Sequence, residues 1–163
     1  MIRLIENILG PQASISLRDE LHQQVLRSIE LGAKLLAGGE LPKMKGAFYP
    51  ATVLSNVKKG MPAYDEELFG PVAALIKVKD EYEAVETAND SIFGLGAAIF
   101  SRDVERAEKI ARTKLISGSC FINVFVKSDP RLPFGGVKQS GYGRELSELG
   151  IKEFVNIKTV YIK

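Results

Sequence analysis

The chain has 163 residues, of which 45% are hydrophobic and 26% charged, and its formal net charge is +2. That length and balance fit a folded domain with its own core and exclude disorder, while so weak a charge, with no cluster of Lys and Arg, gives no basis for nucleic-acid binding. A single cysteine, Cys120, and a single histidine, His22, exclude a disulfide framework, a CxxC zinc pattern and a multi-histidine metal site, and no apolar run approaches the ~18 residues of a membrane helix.

The start, MIRLIENILG, carries one Arg and a Glu and leads to no small-residue cleavage site. It is expected not to be a secretory leader, and a reducing, cytoplasmic setting is the expectation. Ser16 and Asp19 resemble a capping box, and Leu17, Leu21, Val25 and Ile29 then recur every four residues with Leu26 beside them. This spacing predicts an amphipathic helix ended by Gly32. LLAGG (35–39) predicts a short strand entering a turn. GAFYPATVL (46–54) predicts a strand broken at Pro50. PVAALIKV (71–78) is nearly all apolar, the mark of a strand covered on both faces.

Asp80 and Glu83 predict a helix cap, with the helix running to about Asn89. FGLGAAIFS (93–101) predicts a strand containing glycines. DVERAEKIARTKL (103–115) predicts a helix with Val104, Ala107, Ile110 and Ala111 facing inward. SGSCFINVF (117–125) predicts a buried strand. The β-α-β-α-β order implies an α/β fold, a largely parallel sheet flanked by helices. NIKTVYIK (156–163) alternates like a strand but stands apart from the others, so it needs an edge to pair with, such as one on another chain.

Two stretches are dense in special residues. LPFGGVKQSGYGRE (132–145) holds Gly135, Gly136, Gly141 and Gly143. A P-loop would need Lys after its last glycine, where Tyr142 stands, and a dinucleotide fingerprint would need a third glycine at Leu146. Pro133, Phe134, Val137 and Tyr142 are too stiff or bulky for a linker. What remains is a shaped loop whose glycines permit unusual backbone angles or a close approach. DEELFGP (65–71) has two readings. One is a solvated acidic turn before a strand. The other is a carboxylate that accepts hydrogen bonds from the vicinal hydroxyls of a ribose, beside an aromatic ring that packs on a flat heterocycle.

DEELFGPV, NDSIFGLGAAIFS, SGSCFIN and LPFGGVKQSGYGRE occur in this order with short spacers. Together they resemble the C-terminal part of the NAD(P)-dependent aldehyde dehydrogenase family, whose usual forms are EE-x-FGP, ND-x-x-x-GL, G-x-x-x-x-N and PFGG-x-K-x-SG-x-G-RE. The upstream segment GPQASISLRDELHQQVLRSIELGAKLLAGG also resembles the family, so the likeness covers about residues 10–162. RDELHQQV and SDPRLPFGGVKQSGYGRELSELGIKEFVNIKTV resemble the succinate-semialdehyde dehydrogenase-like branch most closely.

The resemblance implies a single domain over residues 1–163, with a catalytic-domain portion at about 10–155 and an oligomerisation-type strand at about 156–163. It implies that Glu67 hydrogen-bonds the nicotinamide ribose of NAD or NADP and that Phe69 lies beside the nicotinamide. Phe134 is implied to line the aldehyde tunnel, with residues 124–131 as the substrate-specificity loop and Ser128 as the serine that helps hold a distal carboxylate. Asn123, Lys138, Ser140 and Arg144 are implied to fix loop backbone. The family's reaction needs a thiolate that attacks the aldehyde, hydride transfer to the nicotinamide, and hydrolysis of the resulting thioester by water activated by a glutamate. That thiolate and that glutamate lie in the family well upstream of EE-x-FGP, so no catalytic residue is assigned here.

Cys120 lies in a strand pattern and is expected to be a core thiol. His22 is expected to serve a helix face, and Asp65 and Glu66 to be solvent-facing and structural. The expected partners are a small aldehyde, further copies of this chain through its last strand, and an N-terminal half encoded separately. Inactivity of the chain alone, and no tight binding of NAD or NADP by it alone, are the corresponding expectations. The alternative is a non-catalytic oligomerisation or interaction module derived from the same fold.

Overall fold

The structure, a computed structural model, describes residues 9–163, so the expectation about a leader falls mostly outside the described residues. The chain divides into two compact units, Met1–Val78 and Lys79–Lys163, each described by itself.

The first unit opens with helix α1, Ile15–Glu30. Its cap is Ser14 rather than Ser16: Ser14 has extended backbone, and its hydroxyl accepts the Leu17 N–H at 3.1 Å. Ser16 sits inside the first turn and donates to Glu20 Oε1 at 2.9 Å instead. Gly32, at φ +106°, follows the last turn, as the left-handed end of a helix favours. Strands β1 (Lys34–Ala37), β2 (Thr52–Ser55) and β3 (Val72–Ala74) form one sheet in that order. The β1–β2 pair is antiparallel and the β2–β3 pair parallel. The short helix α2, Pro62–Asp65, lies between β2 and β3 in the chain. Leu21 and Val25 of α1 pack with Tyr49, Leu54, Val57, Met61 and Ala63 as the core.

Two strands are shorter than their apolar runs suggest. In 46–54 the strand begins only at Thr52, because Pro50 has no N–H to give and its carbonyl is taken by the Thr52 hydroxyl at 2.9 Å. In 71–78 it ends at Ala74, and Leu75 and Ile76 are 50% and 37% exposed. Among the described residues of this unit, the expected cover on both faces is absent: β3 is the sheet's edge strand, with Val72 and Ala74 against the core and Ala73 exposed.

The second unit opens with α3, Glu81–Asn89. Asp80 accepts the Glu83 N–H at 2.8 Å, and Glu83 reaches back to the Lys79 N–H at 2.7 Å, one residue before the cap, a close variant of the capping box. Strand β4 (Gly96–Ile99), helix α4 (Val104–Thr113) and strand β5 (Ser119–Ile122) follow, with β4 and β5 parallel. Glu81 binds Lys114 and Arg106, which ties α3 to α4 and its C-terminal end. Ala107 and Ile110 are buried as expected. Val104, at the first helical position, is 52% exposed, against expectation, because it precedes the turn that packs on the sheet. The 117–125 strand is half-buried and stops at Ile122, and Phe125 beyond it is exposed. A 3-10 turn, Lys138–Ser140, and helix α5, Ser147–Lys152, close the unit. Residues 156–163 form no strand within the chain, and all of them are exposed. Among the described residues, this segment has no ladder partner.

The fold is thus α/β, with two parallel strand pairs and helices on them. Among the described residues, no helix is long and apolar enough to cross a membrane.

Candidate functional site

In the first unit, one face of α1 places the acidic turn. Ser28 is fully buried; its hydroxyl donates to the Gln24 carbonyl at 2.8 Å and accepts the Ala63 N–H at 2.9 Å, fixing the start of α2. One turn earlier, Gln24 Nε2 donates to Glu66 Oε2 at 2.9 Å and to the Glu67 carbonyl at 3.2 Å. Asp65 accepts the Gly60 N–H at 2.8 Å. The first two acids therefore hold backbone or helix, as expected of structural carboxylates. Glu67 is exposed, and Phe69 is 69% exposed. Glu66, Glu67 and Phe69 line a cavity of about 830 Å³ with Gln24, Arg27 and Leu21. A carboxylate beside an open aromatic ring can take a diol and a flat heterocycle together.

In the second unit, polar bonds shape the glycine loop. Phe134 and Glu145 exchange both backbone hydrogen bonds at 2.8 Å. Arg144 Nη1 donates to the Gly136 carbonyl at 2.9 Å and the Gly143 carbonyl at 2.6 Å. Lys138 Nζ donates to the carbonyls of Asn89 and Ser91, each at 2.8 Å. Ser140 accepts the Gly94 N–H at 2.9 Å. Gly143 has φ +70°, and Gly118 lies so near the loop that a Cβ there would overlap the Gly135 carbonyl. Asn123, at φ +56°, accepts the Ser101 N–H at 2.8 Å and donates to the Ser101 carbonyl at 2.9 Å. These four side chains hold loop backbone, as the resemblance implies.

A second cavity, of about 460 Å³, is lined by Cys120, Lys127, Asp129, Leu132 and Phe134 among others. Phe134 is half-buried there. Ser128 is exposed and does not line it, whereas its neighbours Lys127 and Asp129 do. Asp129 is gripped by Arg131 through Nε at 2.9 Å and Nη2 at 2.6 Å, which holds its carboxyl down to about 2. Cys120 is half-buried, and burial pushes its thiol up, the opposite of an activated thiolate. His22 is half-buried on α1, with Nδ1 3.2 Å from the Tyr49 hydroxyl and its ring edge-on to Tyr49. Burial raises the Tyr49 phenol, partly offset by a hydrogen bond with Thr52.

Glu67 and Phe69 thus share a cavity in one unit, while Phe134 lines a cavity of the other. Gln24, Ser28, Lys127 and Asp129 were not singled out from the sequence. The four-residue spacing of Gln24 and Ser28 beside an apolar stripe was the one available signal for that pair.

Comparison with known protein families matches residues 4–160 to the aldehyde dehydrogenase family. A succinate semialdehyde dehydrogenase [NAD(P)+] of Escherichia coli (strain K12) is 53% identical over 156 residues, which are 96% of this chain and 34% of that protein. A succinate-semialdehyde dehydrogenase [NADP(+)] of Deinococcus radiodurans is 50% identical over 152 residues, 93% of this chain and 32% of that one. The crystal structure of succinic semialdehyde dehydrogenase from Streptococcus pyogenes in complex with NADP+ superposes with a TM-score of 0.91 at 44% identity, over 97% of this chain and 34% of that chain. This chain spans about a third of the length of the curated relatives it matches. With the family's pattern matched along nearly all of its residues and the fold shared with its solved structures, the chain belongs to the aldehyde dehydrogenase family.

Proposed function

We propose that this chain forms the cofactor- and substrate-facing C-terminal part of an NAD(P)-dependent aldehyde dehydrogenase that oxidises succinate semialdehyde to the carboxylate. The observation that carries the reading is the division of labour in DEELFGP. Asp65 accepts the Gly60 N–H; Glu66, Glu67 and Phe69 all line one cavity, and of the two glutamates it is Glu66 whose carboxylate is engaged by Gln24. An exposed carboxylate and ring fit a nicotinamide riboside. Glu67 accepts hydrogen bonds from the ribose hydroxyls, and Phe69 offers its ring to the base. NAD or NADP, when bound, supplies the hydride acceptor. Phe134 forms part of the aldehyde wall, and Ser128 donates to the distal carboxylate of the substrate.

The attacking thiol and the general base come, in this reading, from polypeptide outside these 163 residues. Cys120 does not replace them, because burial keeps it protonated. Residues 156–163, exposed and without a ladder partner among the described residues, add to a sheet of a second copy, and the assembly works in the cytoplasm. The test is a steady-state assay of the purified chain with succinate semialdehyde and NAD or NADP, alone and with a polypeptide carrying the family's remaining two thirds. The expected result is no turnover alone and turnover on complementation. Turnover by the chain alone that survives Cys120→Ala overturns the reading.

A further inference from the structure

We propose that Gln24 is a positioning residue for Glu67, an inference that rests on the reading of Glu67 as the ribose acceptor. Gln24 projects from the middle of α1, a helix anchored through Leu21 and Val25 in the core, so its own backbone is fixed. Its carbonyl is held by the buried Ser28 hydroxyl, which also accepts from the first turn of α2. Its side-chain amide uses one nitrogen for two tasks. It donates to the Glu66 carboxylate at 2.9 Å and fixes the Glu67 carbonyl at 3.2 Å. The second task sets the backbone from which the Glu67 side chain departs. The first engages one Glu66 oxygen, Oε2, so that of the two carboxylates lining the cavity Glu67 is the one left to take the diol. Gln24 lines the same cavity as Glu67 and Phe69, yet its amide is committed to the turn. It therefore acts through Glu67.

The donor requirement separates positioning from packing. Gln24→Met keeps length and volume and removes the donor. Gln24→Glu adds a charge facing Glu66. Gln24→His restores an N–H that can reach the turn. The experiment is a titration of the full chain with nicotinamide riboside, followed by amide chemical shifts, together with nitrogen relaxation of residues 66–70 and a thermal melt. The expected result is that Gln24→Met weakens riboside binding about tenfold and loosens residues 66–70 with the melt little changed, that Gln24→Glu weakens it more, and that Gln24→His recovers most of the loss.

Unchanged affinity in Gln24→Met overturns the positioning role while leaving the Glu67 reading intact. Weakening by Gln24→Met with Glu67→Gln binding as tightly as the native chain overturns the Glu67 reading, and the inference with it. No riboside shift in the native chain overturns both. A melt lowered equally by all three variants, with affinity following the melt rather than the donor, reduces Gln24 to packing and also overturns the proposal.

Discussion

The two units of this chain are held by different forces. The first buries Leu21, Val25, Tyr49, Leu54, Val57 and Met61 around a helix and a three-stranded sheet. In the second, Ala107 and Ile110 are the buried hydrophobic residues among those described, and two strands carry a long glycine loop. There, Lys138, Ser140, Arg144 and Asn123 bind backbone groups far along the chain. Apolar burial is non-directional and tolerates small shifts, whereas a side-chain hydrogen bond to a carbonyl fixes one geometry. The first unit is therefore set by volume and the second by direction. This suits a unit whose task is to shape a loop.

The largest expected effect tests the first half of that contrast. Leu54 is fully buried, and Leu54→Ala should cost about 3 kcal/mol in urea unfolding followed by circular dichroism. Ile110→Ala, at the rim of the smaller core, should cost about 2 kcal/mol. A larger loss at Ile110 than at Leu54 would break the contrast. A test of similar size belongs to the second unit. Gly118→Ala places a methyl against the Gly135 carbonyl, an atom that no side-chain rotation can move away. It should cost about 2 kcal/mol and disturb the amides of residues 134–145, read by chemical shift, while leaving the Leu54 region unshifted. A silent Gly118→Ala would mean that the loop is not held by close backbone approach.

The same contrast explains what could be read from the residues alone. Helix α1 was legible because Leu21 and Val25 recur at the helical period, and α3 because Asp80 and Glu83 complete a box. The start of α1 was less so: Ser14 and Ser16 both carry hydroxyls, and only backbone geometry selects the cap. Strand ends were overextended for a physical reason. Leu75, Ile76, Val124 and Phe125 are apolar yet exposed, so composition marks them as strand while no cover confirms it. At the candidate site, Glu67 and Phe69 were legible through a resemblance of motif. Gln24, 42 residues before Glu66, was not, because a hydrogen bond at that separation leaves no local pattern. The tie from Lys138 to Asn89 is hidden in the same way.

The smallest effect sharpens the second half of the contrast through pH. Arg131 grips Asp129 by side-chain and backbone bonds and holds its carboxyl at about 2, with Lys127 adding a weaker pull. The unfolded chain titrates an aspartate near ~3.9, so the folded value is depressed. The stabilisation is then fully present above the unfolded value and is lost as pH falls through it toward about 2. Both partners are reachable by solvent, so the contribution at neutral pH is small and falls further with salt. Its direction is still clear. A carboxyl titration by NMR should show Asp129 ionised down to about 2, and Arg131→Ala should move the midpoint up toward the ordinary range while changing the neutral-pH melt little. Lys127→Ala should move it less, because that lysine acts only through distance. An Asp129 midpoint near the unfolded value in the native chain would show that the Arg131 grip does not order this loop, and with it the directional half of the contrast would lose its electrostatic part.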